Sequence, residues 1–294
     1  MVQIRIKKLE MPTLMNIVKN KIGIYNNVYK NNKYAFYDYT NTDFINDALN
    51  FSYIRDLPTV QMEYQNFDKE IIDKTFNLHK EKVKKLNGFV TMTDTFARHI
   101  KNIYDINIPY VKFRNYPIWK DTQENKRNEF VYVANVPNRF EKYIKFLDEL
   151  KEKINMKTIF VKYSRSFYLR KTFEYEENMK LLDYRISTDD YDYSSKYGLL
   201  LNVDNYNQAE EGLPRKLLLY LMCGIQPIIH SSFVESINYC KNTGINPLIY
   251  DKIDDILDNI KTHKFSNINR KYYSFEERYV DLIHELNLLS ELTT

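Results

Sequence analysis

The stretch AEEGLPRKLLLYLMCGIQPII, Ala209–Ile229, is where the fold can be read. It opens on two adjacent carboxylates and Gly-Leu-Pro, runs into an apolar helix, breaks at Cys223-Gly224 and resumes as a short apolar run. The chain has 6 glycines in 294 residues, yet two of them, Gly212 and Gly224, bracket this one helix. Ahead of it, YGLLLNV (197–203) reads as a strand that ends in the polar loop DNYNQAEEGL. Pro214 fits a first helical turn, where its missing N–H costs nothing. Gly224 then caps the helix and returns the chain to a strand, QPIIH, at 226–230.

A helix that follows a strand in this way starts at the carboxyl edge of a parallel sheet. Its free N–H groups and positive dipole end make that start a site for phosphate. Glu210 or Glu211 can accept hydrogen bonds from sugar hydroxyls, and Gly212 lets the backbone approach a ligand closely. The macrodipole alone also favours acids before a helix, so a purely structural Leu-rich helix accounts for the same letters.

Strand and helix patterns alternate on both sides of this stretch. FVYV (130–133), KTIFVKY (157–163) and PLIY (247–250) read as strands; 138–154, 232–243 and 253–262 read as helices, and 165–186 has no clear pattern. Alternation at these lengths predicts a doubly wound parallel sheet. The N-terminal part carries strand candidates at 21–27, 34–40, 57–64 and 88–93. Helices are expected at 67–86 and 94–104, the second opening on an Asp or Thr suited to capping. The polar run KDTQENKRNEF (120–130) reads as a linker, giving an N-terminal Rossmann-like domain at 1–120 and a second at 121–294. Two such domains would face each other across a cleft, with ligand beyond the carboxyl ends of the strands.

Composition narrows the function classes. With 44% hydrophobic and 28% charged residues, the chain reads as a soluble folded protein. Its formal charge of +4 allows a polyanionic partner without the concentrated basic stripe that would demand one. The first twenty residues mix Lys, Arg and Glu among apolar positions, so neither a secretory signal nor a membrane span is expected and a cytoplasmic location is. Cys223 and Cys240 lack metal-like spacing and read as buried thiols. Asp190-Tyr191-Asp192 is a carboxylate pair of a kind that can hold a divalent metal, but Ser187, Thr188 and Asp189 read better as a helix start. The five histidines form no close metal pair; His230, at a strand end near the expected cleft, can touch ligand or serve structure.

The segment 197–230 resembles the donor-site signature of the retaining family four glycosyltransferases, which have the two-domain GT-B fold. Glu211, Gly212, Pro214, Lys216, Gly224 and Pro227 match that signature. Residues 89–117, FVYVANVPNRFEKYIKFL, 246–260 and 272–286 resemble other parts of the same family, with C-terminal helices that pack back toward the N-terminal domain. The resemblance implies transfer of a sugar, with retention, from a nucleoside-diphosphate sugar such as UDP-glucose or another UDP-hexose. It implies no tightly bound cofactor and no required metal.

Carried over by position, Glu211 holds the donor hexose while Gly212 and Leu213 offer backbone N–H groups. Arg139 and Lys142 meet the diphosphate, unless they are simply solvated; Lys216 matches a signature lysine, unless it balances Glu210 or Glu211. Glu63, at the end of the 57–64 strand candidate, stands where an acceptor-side base would lie. Leu219 occupies the place of the family's second Glu, expected to bind ribose, and the N-terminal glycine-rich loop and full domain length are missing. The expected acceptor is a glycan or a lipid-linked glycan, reached with peripheral membrane contact and no transmembrane segment. A nucleic-acid acceptor with hydroxymethylated bases and a non-catalytic nucleotide-sugar-binding module are the alternatives.

Overall fold

A computed structural model describes residues 28–30, 34–37, 44, 48–54, 57, 67–117, 119, 126–135, 140–154, 156–162, 179–183, 193–202 and 212–293. They fall into two compact units, Met1–Arg114 with Val280–Thr294, and Asn115–Tyr279.

The first unit contains β1 (Val28–Lys30), β2 (Tyr34–Tyr37), β3 (Leu49–Tyr53), α1 (Lys69–Val83), β4 (Gly88–Thr91), α2 (Asp94–Tyr104) and β5 (Tyr110–Lys112). Its sheet runs β1-β2-β3-β4-β5, with β1 antiparallel to β2 and the other neighbours parallel. Thr93 caps α2 by accepting the N–H of Phe96 at 3.0 Å. Phe96, Ala97, Ile100 and Tyr104 then form one buried stripe on that helix, packed with Ile54, Leu57, Val83, Leu86 and Phe89. The C-terminal helix (Phe275–Leu292) buries Leu286 and Leu289, and a Cβ on Gly88 would meet the Leu289 side chain at 2.8 Å.

Strand β3 is absent from the sequence expectation because LNFSY interrupts its apolar letters with Asn and Ser. Both are buried, and Asn50 is satisfied on three sides. Tyr37 donates to its Oδ1 at 2.8 Å, its Nδ2 donates to the Ala48 carbonyl at 2.9 Å, and its own N–H donates to Asn87 at 2.7 Å. Of the strand expected at 57–64, Leu57 is buried and in no strand; the rest lies outside the described residues, as does the 21–27 candidate.

The second unit contains β6 (Arg127–Asn135), α3 (Phe140–Lys153), β7 (Met156–Lys162), β8 (Met179–Asp183), β9 (Ser195–Leu200), α4 (Arg215–Met222), β10 (Gln226–His230), α5 (Val234–Asn242), β11 (Leu248–Tyr250) and α6 (Ile253–Asn259). All six strands are parallel, in the order β8-β7-β6-β9-β10-β11. This is the Rossmann order 3-2-1-4-5-6, and its switch point lies between β6 and β9. One face packs Phe130, Tyr132, Tyr197, Leu199, Leu248 and Tyr250 with α3 and α6. Val131, Val133, Gly198 and Leu200 alternate to the other face, the face that α4 covers. Strand β8 falls inside the region the sequence leaves without a pattern, because MKLLD is short and flanked by charge.

Candidate functional site

The site is built where β6 and β9 send their chains in opposite directions. Strand β6 leads toward α3 and strand β9 toward α4, so both helices begin at the carboxyl edge of the two central strands. An open α/β sheet binds its ligands in that crevice.

Helix α4 has eight residues and an N-cap at Pro214, whose φ of −60° and ψ of 131° place it just outside the helix. Among the described residues no side chain caps this start, and the first intrahelical N–H, from Leu217, goes to the Pro214 carbonyl at 2.9 Å. Leu213 is buried beneath the turn and Gly212 is partly exposed beside it. The other end closes in a Schellman motif: Ile225 donates to the Tyr220 carbonyl at 2.8 Å and Gly224 to that of Leu221 at 3.0 Å. Gly224 has a φ of +68°, the left-handed conformation expected of a glycine there.

Lys216 extends from the first turn, with its ammonium 4.7 Å from the centre of the Tyr132 ring. Tyr132 packs on the sheet face opposite α4, so the lysine reaches it across the parted ends of β6 and β9. Among the described residues Lys216 has no hydrogen bond and no ion pair. The side chain is partly exposed, and burial of its amine pushes the pKa down to about 8. A cation held beside an uncapped helix start makes a site for an anionic group.

At the neighbouring strand ends, Asn202 donates to Ser232 Oγ at 2.7 Å, and Ser232 Oγ lies 2.8 Å from His230 Nδ1. The backbone N–H of Ser232 also donates to Nδ1, at 3.3 Å, so that nitrogen is an acceptor and the imidazole proton sits on Nε2. Burial lowers the His230 pKa, opposed by the charge and backbone of Asp251. His230 thus braces its own loop, and Ser232 joins that loop to the end of β9 through Asn202.

Of the residues singled out in the sequence, Gly212, Leu213, Pro214 and Lys216 come together at the start of α4. Lys142 lies in the first turn of α3, at the same sheet edge, with its side chain outside the described residues. Glu63, Arg139, Glu210 and Glu211 lie outside the described residues, as do Ser187 to Asp192. Tyr132 and Tyr220 belong to the site and sequence reasoning passed over them. The available signal was Gly198, a glycine inside a strand that makes room for a ring. Among the described residues no three His, Cys, Asp or Glu side chains gather as a metal site, and no helix is long and apolar enough to cross a membrane.

No family model matches the chain, and no curated protein matches it. Among solved structures it is similar to sucrose-phosphate synthase from Thermosynechococcus elongatus, with a TM-score of 0.53 at 8% identity over 82% of this chain and 68% of that one. It is also similar to the GtfA/B complex, with a TM-score of 0.41 at 12% identity over 84% of this chain and 53% of that one. A third likeness is to a T4 phage BGT mutant in complex with UDP-glucose, with a TM-score of 0.40 at 12% identity over 83% of this chain and 71% of that one. The synthase likeness, at so low an identity, speaks to architecture: the chain has the GT-B fold of the glycosyltransferases, two Rossmann-like units.

Proposed function

We propose that the protein is a glycosyltransferase that moves a sugar from a nucleoside-diphosphate sugar to an acceptor hydroxyl. One observation carries this reading: Lys216 and the uncapped start of α4 meet at the switch point between β6 and β9. As the bond between the sugar and the phosphate breaks, negative charge collects on the departing diphosphate. Helix N–H groups and a nearby ammonium stabilise that charge without reorganising. In this reading Gly212 and Leu213 present backbone N–H groups, while Arg139 and Lys142 supply further positive charge from the start of α3. Glu211 holds the hexose and Glu63 serves the acceptor side.

A UDP-hexose is the donor of the reading and a glycan or lipid-linked glycan its acceptor. Transfer proceeds with retention of the anomeric configuration. In this reading Leu219 takes the position of the family's ribose-binding carboxylate, so the donor's ribose is held by other groups. The chemistry assigned to these residues does not route through a metal.

The test is a thermal-shift and nucleotide-release screen with uridine, guanosine, adenosine and thymidine diphosphate sugars, with and without magnesium. A ligand that binds the folded state raises the melting temperature. Stabilisation by one donor with slow release of its diphosphate is the expected result, and no stabilisation by any of them overturns the reading. Binding without release identifies a nucleotide-sugar-binding module instead. Glu211→Gln is expected to lower transfer by about a hundredfold with the melting temperature kept; unchanged transfer removes Glu211 from its role.

A further inference from the structure

Strands β6 and β9 pair as far as Val131 opposite Gly198, and then part. Beyond that point Val133 pairs with Ile159 of β7, and Leu199 and Leu200 pair with Ile228 and Ile229 of β10. The Tyr220 hydroxyl stands in the gap. Val133 N–H donates to it at 3.0 Å, and its own proton is shared between the carbonyls of Leu199 at 3.3 Å and Val131 at 3.5 Å. Its ring is fully buried over Gly198, where a Cβ would come within 2.6 Å of ring carbon Cδ2. One side chain from α4 thus takes up main-chain groups of both strands that they would otherwise satisfy in each other.

Lys216 lies four residues before Tyr220, so the two stand one above the other on α4, the lysine nearer the helix start. Seating Tyr220 in the gap fixes the rotation of α4 and its advance along its axis. Both together set Lys216 over Tyr132 and hold the first turn of α4 at the carboxyl edge. We infer that Tyr220 is a positioning residue of the nucleotide site: its hydroxyl keeps the ends of β6 and β9 parted and aims the first turn of α4 into the opening. This rests on the donor reading above.

The test compares Tyr220→Phe with Tyr250→Phe in the full-length chain. Tyr250 is the matched control, because it is equally buried and its hydroxyl donates to the Leu200 carbonyl at 3.0 Å, but it comes from β11 and not from the gap. Affinities for UDP, GDP, ADP and dTDP are measured by titration calorimetry at a temperature where every variant is folded. Both variants are expected to melt earlier than the wild type. Tyr220→Phe is expected to raise the dissociation constant about tenfold or more, and Tyr250→Phe to leave it within about twofold.

Gly198→Ala, which displaces the ring and leaves the hydroxyl chemistry intact, serves as the second variant and is expected to weaken binding likewise. Undiminished affinity in Tyr220→Phe with a lowered melting temperature assigns the residue to stability alone and overturns the inference. If Tyr220→Phe does not fold, undiminished affinity in Gly198→Ala overturns it. A wild type that binds none of the four nucleotides overturns the donor reading itself, a pattern recognisable because the unmutated chain is then silent.

Discussion

Lys216 is a charge that costs the fold something. Its pKa, about 8 in the folded chain, is below the value of about 10.4 for a solvated lysine. Between those values the unfolded chain binds more protons, so stability rises with pH from about 8 to about 10.4 and the penalty is fully present below that window. Lys216→Met removes the penalised charge and keeps an unbranched stem against Tyr132. At pH 7 its melting temperature is expected to equal or exceed that of the wild type, and its share of the rise above pH 8 should vanish. Its affinity for a nucleoside diphosphate is expected to fall about tenfold. Stability and binding moving in opposite directions is the mark of a residue kept for function. Scanning fluorimetry across pH together with titration calorimetry checks both, and an earlier melt with intact affinity would make Lys216 an ordinary packing residue. In the wild type, diphosphate binding should weaken as the pH passes about 8, because the ammonium is then lost.

Helix α4 is two turns long, too short to be stable by propensity, so its neighbours must hold it. Gly198 beneath Tyr220 is one such hold, since an added Cβ would stand 2.6 Å and 2.7 Å from the ring and 2.9 Å from Ile225. Gly198→Ala is therefore expected to cost roughly 1–3 kcal/mol, as overpacked cores do. Gly244, which ends α5 in the same Schellman geometry, separates the two kinds of glycine. Its φ is +74° and a Cβ there would meet nothing within 4 Å, so Gly244→Ala should cost about 1 kcal/mol from backbone strain alone. Denaturant unfolding of the two variants reads the difference. At this scale the sequence was legible wherever punctuation and apolar runs coincide: Pro214, Gly224 and Pro227 frame α4 and β10 without help from tertiary structure. Strands β3 and β8 were not legible, because Asn50 looks like surface until its partners Tyr37 and Asn87 are known, Ser52 adds a second polar letter that is buried all the same, and MKLLD is a few apolar letters among charges. Tyr220 was hidden for a related reason. It is one of 26 tyrosines, and what sets it apart is the parting of two strands distant in sequence.

Each of the two units has its own apolar core, so conditions can act on one without acting equally on the other. In the first unit His79 is 6% exposed and meets Tyr104, its Nδ1 3.3 Å from the phenol oxygen. Burial, with a smaller contribution from the Lys82 charge, lowers its pKa to about 4. A histidine in water titrates near 6.5, so between the two values the unfolded chain binds more protons than the folded one. The stability held by neutral His79 is complete above about pH 6.5 and is lost as the pH falls toward 4, an effect on the order of 3 kcal/mol. Trp119, the only tryptophan, belongs to the second unit and lies against Arg270, giving a fluorescence signal from that unit. During acid titration, far-UV circular dichroism is therefore expected to lose amplitude before tryptophan fluorescence shifts. In His79→Gln, which cannot take up the proton, the acid midpoint of the dichroism should move to lower pH and approach the fluorescence midpoint, even with lower stability at neutral pH from lost packing. An unchanged gap between the two midpoints would mean that carboxylate protonation, and not His79, sets the acid limit of the first unit.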